Sequence, residues 1–192
     1  MVDSLLPGER ETGLLNCFAL VSYLPDQLGR FLDELRRDVE PNTLAPRAHI
    51  TLLPPRSLTD IASAQAAERY LEMMLAEVSA VEIFLGPVEV FPVTNVVYVA
   101  VDGGFLQMRK LHERLNSGPV GFAEPFHYHP HITLAQGLTA AQALRVKEEA
   151  VSRWSQFPGS RRFSTGSFSF VQANCAGRWV DLAEYSLAAA GH

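Results

Sequence analysis

The 192-residue chain predicts an α+β fold built from two similar halves, and three observations carry that prediction. Short runs rich in β-branched and aromatic residues alternate with longer stretches of helical period. The tetrapeptide His-Ile-Thr-Leu occurs twice, beginning at His49 and at His131. The landmarks around it keep one offset: His49 to His131 is 82 residues, Leu58-Thr59 to Leu138-Thr139 is 80, and Gly86 to Gly166 is 80. One tetrapeptide is within chance, but the same tetrapeptide in a matched order of elements marks a duplicated unit, with approximate repeats 14–94 and 95–188 inside one domain spanning 1–192. Two such units make a pseudo-symmetric pair of lobes, each bringing one motif strand to a shared cleft.

Taken in order, "LNCFALVSYL" reads as the first strand. "DQLGRFLDELRRDV" places Leu28, Phe31, Leu32 and Leu35 on one face of a helix, with Arg36, Arg37 and Asp38 on a solvated face. "RAHITLLP" is a short strand closed by Pro54 and Pro55. "TDIASAQAAERYLEMMLAEV" is a second helix with Thr59 as its N-cap. "VEIFLGPVEVFP" and "NVVYVAVD" are strands joined by a turn over Pro92 to Asn95. "FLQMRKLHERL" is a helix, "HPHITLAQ" a strand, and "TAAQALRVKEEAVSRW" a helix opened by a capping box between Thr139 and Gln142, with Lys147 to Glu149 solvated. "FSTGSFSFVQ", alternating at Phe168 and Phe170, and "RWVDLAEYSL" are the last strands.

Composition bounds the function classes. Hydrophobic residues make up 47% and charged residues 19% of the chain, and no run approaches the roughly 20 apolar residues that span a bilayer. The first residues carry Asp3, Glu9 and Glu11 and show neither a secretory apolar stretch nor an acid-poor transit sequence, so a cytoplasmic protein without a membrane partner is expected. Cys17 and Cys175 lack metal-ligand spacing and read as reduced, buried thiols. A net charge of -5 argues against coating long nucleic acid, which needs many Lys and Arg contacts to phosphate, but leaves room for a local pocket for one phosphate group.

On a strand, His and Thr of "HIT" project to one face while Ile enters the core. Related by a pseudo-twofold axis, His49, Thr51, His131 and Thr133 converge as two matched pairs. Such a set suits in-line displacement at a phosphodiester: one imidazole deprotonates the nucleophile, the other protonates the leaving oxygen, and two hydroxyls hold the non-bridging oxygens.

The two complete His-x-Thr motifs across an internal duplication resemble the 2H phosphoesterase superfamily, particularly its 2'-5' RNA ligase-like and RNA 2',3'-cyclic phosphodiesterase members. The resemblance implies a two-lobe fold whose antiparallel sheets flank a central groove, with helices outside. It implies His49 and His131 as the catalytic pair and Thr51 and Thr133 as phosphate ligands. His131 would activate water and His49 protonate the departing sugar oxygen. The activity implied is metal-independent opening of a 2',3'-cyclic phosphate on a nucleotide or RNA end, with 2'-5' ligation as its reverse. It needs no metal, no cofactor and no protein partner.

Other readings compete. "HYHPHITL" puts His127, His129 and His131 at alternate positions, a pattern that also fits a histidine-triad nucleotide hydrolase or a zinc site. Pro130 fits poorly inside a strand, and neither alternative explains the first motif, where Arg47 stands in the place of His129. A third reading keeps the groove but uses the histidines only to hold a phosphorylated nucleotide or RNA end. Arg47 shares strand parity with His49 and is a candidate phosphate contact, His129 its counterpart, and Arg56 a further candidate cation. Phe126 and Tyr128 are candidate stacking platforms for a base, and Phe91 is either another or a core residue.

Overall fold

The computed structural model describes residues 13–40, 46–58 and 61–189. In chain order its elements are β1 (Leu14–Tyr23), α1 (Asp26–Val39), β2 (His49–Arg56), α2 (Ile61–Leu75), β3 (Glu82–Val90), β4 (Val97–Gly103), α3 (Phe105–Leu115), a 3₁₀ turn at Gly118–Val120, β5 (His131–Ala135), α4 (Ala140–Ser155), β6 (Arg162–Ser164), β7 (Ser167–Asn174) and β8 (Trp179–Ser186). The strands form two antiparallel sheets, ordered β2-β1-β7-β8 and β5-β4-β3-β6. Each sheet takes its third strand from the other half of the sequence, so β3 lies beside β4 while β7 and β8 lie beyond β1. Both motif strands, β2 and β5, stand at sheet edges.

The amphipathic helices cover the outer faces. Leu28, Leu32 and Leu35 of α1 are buried with Ile50 and Leu52 of β2 and Ile132 of β5 in one continuous core. Phe31 bridges α1 to the end of α4, its ring 6.1 Å from Trp154 and 4.8 Å from Phe157. The capping box at α4 forms as the sequence predicts: the Thr139 hydroxyl accepts from the Gln142 amide and the Gln142 side chain accepts from the Thr139 amide. The N-cap expected at Thr59 lies outside the described residues. Among the described residues no helix is long and apolar enough to cross a membrane.

Several sequence expectations are corrected. The strand expected to close at Pro54 continues to Arg56: β2 is an edge strand, and its register with β1 breaks between Leu53 and Arg56, so two consecutive ring nitrogens without a proton are accommodated there. "FSTGSFSFVQ" is two strands rather than one. Thr165, fully buried, hooks onto Val81 by side chain and backbone, and the chain leaves one sheet as β6 and joins the other as β7. The strand expected from His129 begins only at His131. Arg36 is not on a solvated face but buried, donating to the Pro46 carbonyl at 2.6 Å. Cys17 is half-buried and Cys175 exposed at the β7–β8 turn, both as free thiols.

Candidate active site

Strand parity does what the sequence predicts for both motifs. Ile50 and Ile132 are 0% and 1% exposed in the core, while His49, Thr51, His131 and Thr133 are half-buried on the opposite face. The two sheets bring these faces together: β2 and β5 approach within 8 Å between Cα atoms without pairing. Tyr128, just ahead of β5, donates its hydroxyl proton to the Thr51 carbonyl at 2.9 Å.

Each motif also carries a bulge at its leucine. On β2 the partners run Val21↔Thr51 and then Leu20↔Leu53, leaving Leu52 as the extra residue. On β5 they run Tyr98↔Thr133 and then Val97↔Ala135, leaving Leu134 extra. The bulges bury two consecutive side chains, Leu52 with Leu53 and Leu134 with Ala135, which strict alternation forbids. They bend each edge strand just beyond its His-Ile-Thr.

Both imidazoles are held by one local device. His49 Nδ1 lies 2.7 Å from the Arg47 carbonyl, and His131 Nδ1 lies 2.7 Å from the His129 carbonyl. A carbonyl only accepts, so Nδ1 carries the proton in each ring and Nε2 keeps its lone pair for chemistry. Burial pushes His49 down to about 4; the Arg47 carbonyl opposes this, and positive charge at Arg36 and His131 adds to it. His131 is lowered as well, first by burial, against the pull of the His129 carbonyl and with a contribution from His129 charge. Both rings are therefore neutral at neutral pH. A bound phosphate anion favours returning a proton to one of them.

The walls differ. Beside His49, Arg47 lies 3.8 Å over the Tyr23 ring and 3.5 Å from Asp181, and Tyr23 donates to Asp181 at 2.6 Å. These residues, with Ser167, Ser169 and Glu184, line a cleft of ≈ 420 Å³ on the open face of the first sheet. Beside His131 the wall is aromatic. Phe91 stacks on Tyr98 at 4.0 Å, and both turn their rings edge-on to His131, at 5.0 and 5.4 Å. His129 meets the same two rings and Phe105, at 5.3, 5.7 and 5.1 Å.

The expected contacts divide accordingly. Arg47 stands exposed beside His49 and His129 half-buried beside His131, whereas Phe126 is 59% exposed in the loop before β5. Tyr128 is no open platform: its ring lies flat on His112 at 4.0 Å and its hydroxyl is bound to β2. Arg56 is not a phosphate cation either, being 4% exposed and paired with Glu124 at 2.7 Å. His127 is exposed, and residues 127–130 are outside any strand, so the three alternate histidines do not share one strand face. Among the described residues no three His, Cys, Asp or Glu side chains gather as metal ligands. Sequence reasoning missed Tyr23 and Tyr98. Tyr23 faces His49 and Tyr98 faces Thr133 only through strand pairing, although each occupies an alternate position in an apolar strand.

The family model of the 2'-5' RNA ligase superfamily matches residues 24–174. A Bacillus pumilus protein named "Putative phosphoesterase" is 27% identical over 123 residues, covering 64% of this chain and 71% of that one. Among solved structures, E. coli LigT complexed with NADP+ superposes with a TM-score of 0.62 at 16% identity, covering 93% of this chain and 99% of LigT. LigT complexed with 3'-AMP gives 0.61 at 15% identity over the same shares. Kluyveromyces marxianus Usb1 with uridine monophosphate gives 0.51 at 12% identity, covering 92% and 99%. At these identities the structural likeness speaks for the fold.

Proposed function

We propose, from the premise that this chain belongs to the 2'-5' RNA ligase superfamily, that it is a metal-independent phosphodiesterase opening 2',3'-cyclic phosphates on nucleotides or RNA ends. The observation that carries the reading is the matched pair of imidazoles, each anchored at Nδ1 to the carbonyl two residues earlier, on facing edge strands. Membership of the superfamily supports a phosphoesterase-type function, and relatives holding 3'-AMP and uridine monophosphate support a nucleotide or RNA-end substrate.

In this mechanism the cyclic phosphate sits between the two His-x-Thr faces, with the Thr51 and Thr133 hydroxyls donating to its non-bridging oxygens. His131 Nε2 takes a proton from water as the water oxygen bonds to phosphorus. One ring P–O bond breaks, and the departing sugar oxygen takes a proton from His49 Nε2. His131 ends protonated and His49 neutral, and solvent exchange resets the pair. A second sugar hydroxyl that takes the place of water in the same in-line step, giving its proton to His131 while the departing ring oxygen takes one from His49, opens the ring to a 2'-5' linkage instead. The neutral resting state follows from burial. The proton that His49 needs arrives with the substrate, whose negative charge offsets the desolvation that depresses the ring.

The test is hydrolysis of 2',3'-cyclic mononucleotides with a chelator present, by the parent protein and by His49→Ala, His131→Ala and His127→Ala. Turnover lost in the first two and retained in the third is expected. Activity that disappears with the chelator or with His127→Ala overturns the reading in favour of a metal or triad site. Measurable affinity for the same nucleotides without turnover, over long incubation, overturns it in favour of a binding module.

A further inference from the structure

The two motif strands belong to different sheets and share no backbone ladder, so nothing in the sheet hydrogen bonding fixes how far apart their imidazoles stand. We infer that Tyr128, backed by His112, Glu124 and Arg56, is the positioning device that sets the first motif against the second. The inference rests on His49 and His131 being the reacting pair.

Tyr128 lies three residues before His131, in the segment that leads the second motif into its strand, and its hydroxyl donates to the carbonyl of Thr51 in the first motif. That contact joins the two halves of the site. It falls on the bulge of β2, and the next carbonyl, of Leu52, accepts from His112 Nδ1 at 2.8 Å. Successive carbonyls of a regular strand point to opposite edges. Here two in a row are met by side chains, and the bulge is clamped.

The clamp is built to be stiff. His112 is 5% exposed, and its ring lies on that of Tyr128 with an interplanar angle of 4°. Its Nε2 faces Glu124 at 3.5 Å, and the other Glu124 oxygen accepts from Arg56 at 2.7 Å. Three more Arg56 donors go to the Pro54 carbonyl, Asn116 and the Val120 carbonyl, at 2.9, 2.7 and 2.6 Å. The chain thus runs from the end of β2 through α3 and the 116–124 loop back to the bulge of β2. The first motif has no such reach: the residue three before His49 is Pro46, whose carbonyl is held locally by Arg36 of α1. The tie runs one way, from the second motif to the first.

The test uses Tyr128→Phe, which keeps the ring on His112 and removes only the hydroxyl, and His112→Phe, which keeps a stacked ring and removes the donor to Leu52. Four quantities are read: kcat and KM on 2',3'-cyclic mononucleotides, thermal midpoint, and the imidazole ¹H–¹⁵N signals of His49 and His131. The expected result for Tyr128→Phe is a kcat lower by about 10- to 100-fold, the scale for misplacing a reacting group by a fraction of an ångström to about 1 Å. KM stays within about twofold, the midpoint holds within a few degrees, and the His49 signals move. His112→Phe moves the same signals in the same direction. A kcat within about twofold of the parent, or unmoved His49 signals, overturns the inference, as does an activity loss that only follows loss of folded protein. If the parent turns over no cyclic nucleotide, the proposed function fails separately. The His49 signals then decide alone, moving if Tyr128 positions the motif and unmoved if it does not.

Discussion

In β2 His49 looks across at Tyr23, 6.4 Å away and edge-on, with Arg47 and Asp181 completing a polar, solvent-open wall. In β5 His131 is packed against the stacked pair Phe91 and Tyr98, with His129 where the other lobe has Arg47. The backbone device is the same in both: edge strand, anchored Nδ1, and a bulge at the following leucine. The difference lies wholly in what surrounds it. The comparison teaches that the shared device supplies two imidazoles in the same tautomer, while the walls make them unequal. One stands beside charged side chains and the other beside aromatic rings.

The largest effect expected of that comparison is catalytic. His49→Ala and His131→Ala should each lower kcat on a 2',3'-cyclic nucleotide by about 10²–10⁴. The double variant should fall little further, because the two act as a unit. pH–rate profiles of the single variants then separate the roles: loss of the acid-side limb with His131→Ala identifies the base, and loss of the alkaline-side limb with His49→Ala identifies the acid. Interchanged limbs would reverse the assignment.

Next in size is a stability contrast between the lobes. Glu124→Gln leaves the buried Arg56 guanidinium without its counter-charge, and should cost about 3–5 kcal/mol in denaturant unfolding. Glu89→Gln, at an exposed carboxylate that accepts from Tyr98 beside the second motif, should change stability by less than about 1 kcal/mol.

Acid sensitivity comes third. His49 is held below its ordinary value, down to about 4, so the unfolded chain binds more protons than the folded one once pH drops below about 6.5. Stability then rises with pH through this window and is lost as pH falls from about 6.5 toward about 4, by at most about 3 kcal/mol from this group. His49→Ala should flatten that slope in chemical denaturation measured across the window. An unchanged slope would mean that burial does not hold the ring neutral.

The smallest effect sharpens the contrast between the walls. Arg47→Gln should raise KM about tenfold with kcat nearly unchanged, the size of one charge-assisted hydrogen bond to phosphate. That rise should be the same for a cyclic nucleotide and for a base-free cyclic phosphate such as glycerol 1,2-cyclic phosphate. Phe91→Leu should raise KM only when the substrate carries a base, by a few-fold. Equal behaviour of both variants on both substrates would erase the proposed division between a phosphate wall and a base wall.

Much of this was legible in the chain. The alternation His-Ile-Thr placed the imidazoles and hydroxyls on one face twice, because side-chain direction on a strand follows from local geometry alone. Helical period identified α1 for the same reason, and the Thr139 capping box that marked α4 is a contact between residues three apart. Other features were hidden although their residues were in view. Arg36 read as a solvated cation and Arg56 as a candidate phosphate contact, and only packing shows one under Pro46 and the other against Glu124. Tyr128 read as a stacking platform because its partner, the Thr51 carbonyl, lies 77 residues away. The run of two apolar residues after each Thr was a visible break in alternation. It became a bulge only when β1 and β4 set the register.

The sequence by itself determined that the His-Ile-Thr motif occurs twice, which strands hold it and which of its side chains share a face, since each of these depends on neighbours within a few strand positions. Tertiary structure alone decided the exchange of strands between the sheets, the bulges, the unequal walls around two equal motifs and the tie from Tyr128 to Thr51. Those depend on pairing and packing between distant segments, and their selection is a property of the whole core rather than of any window of the chain.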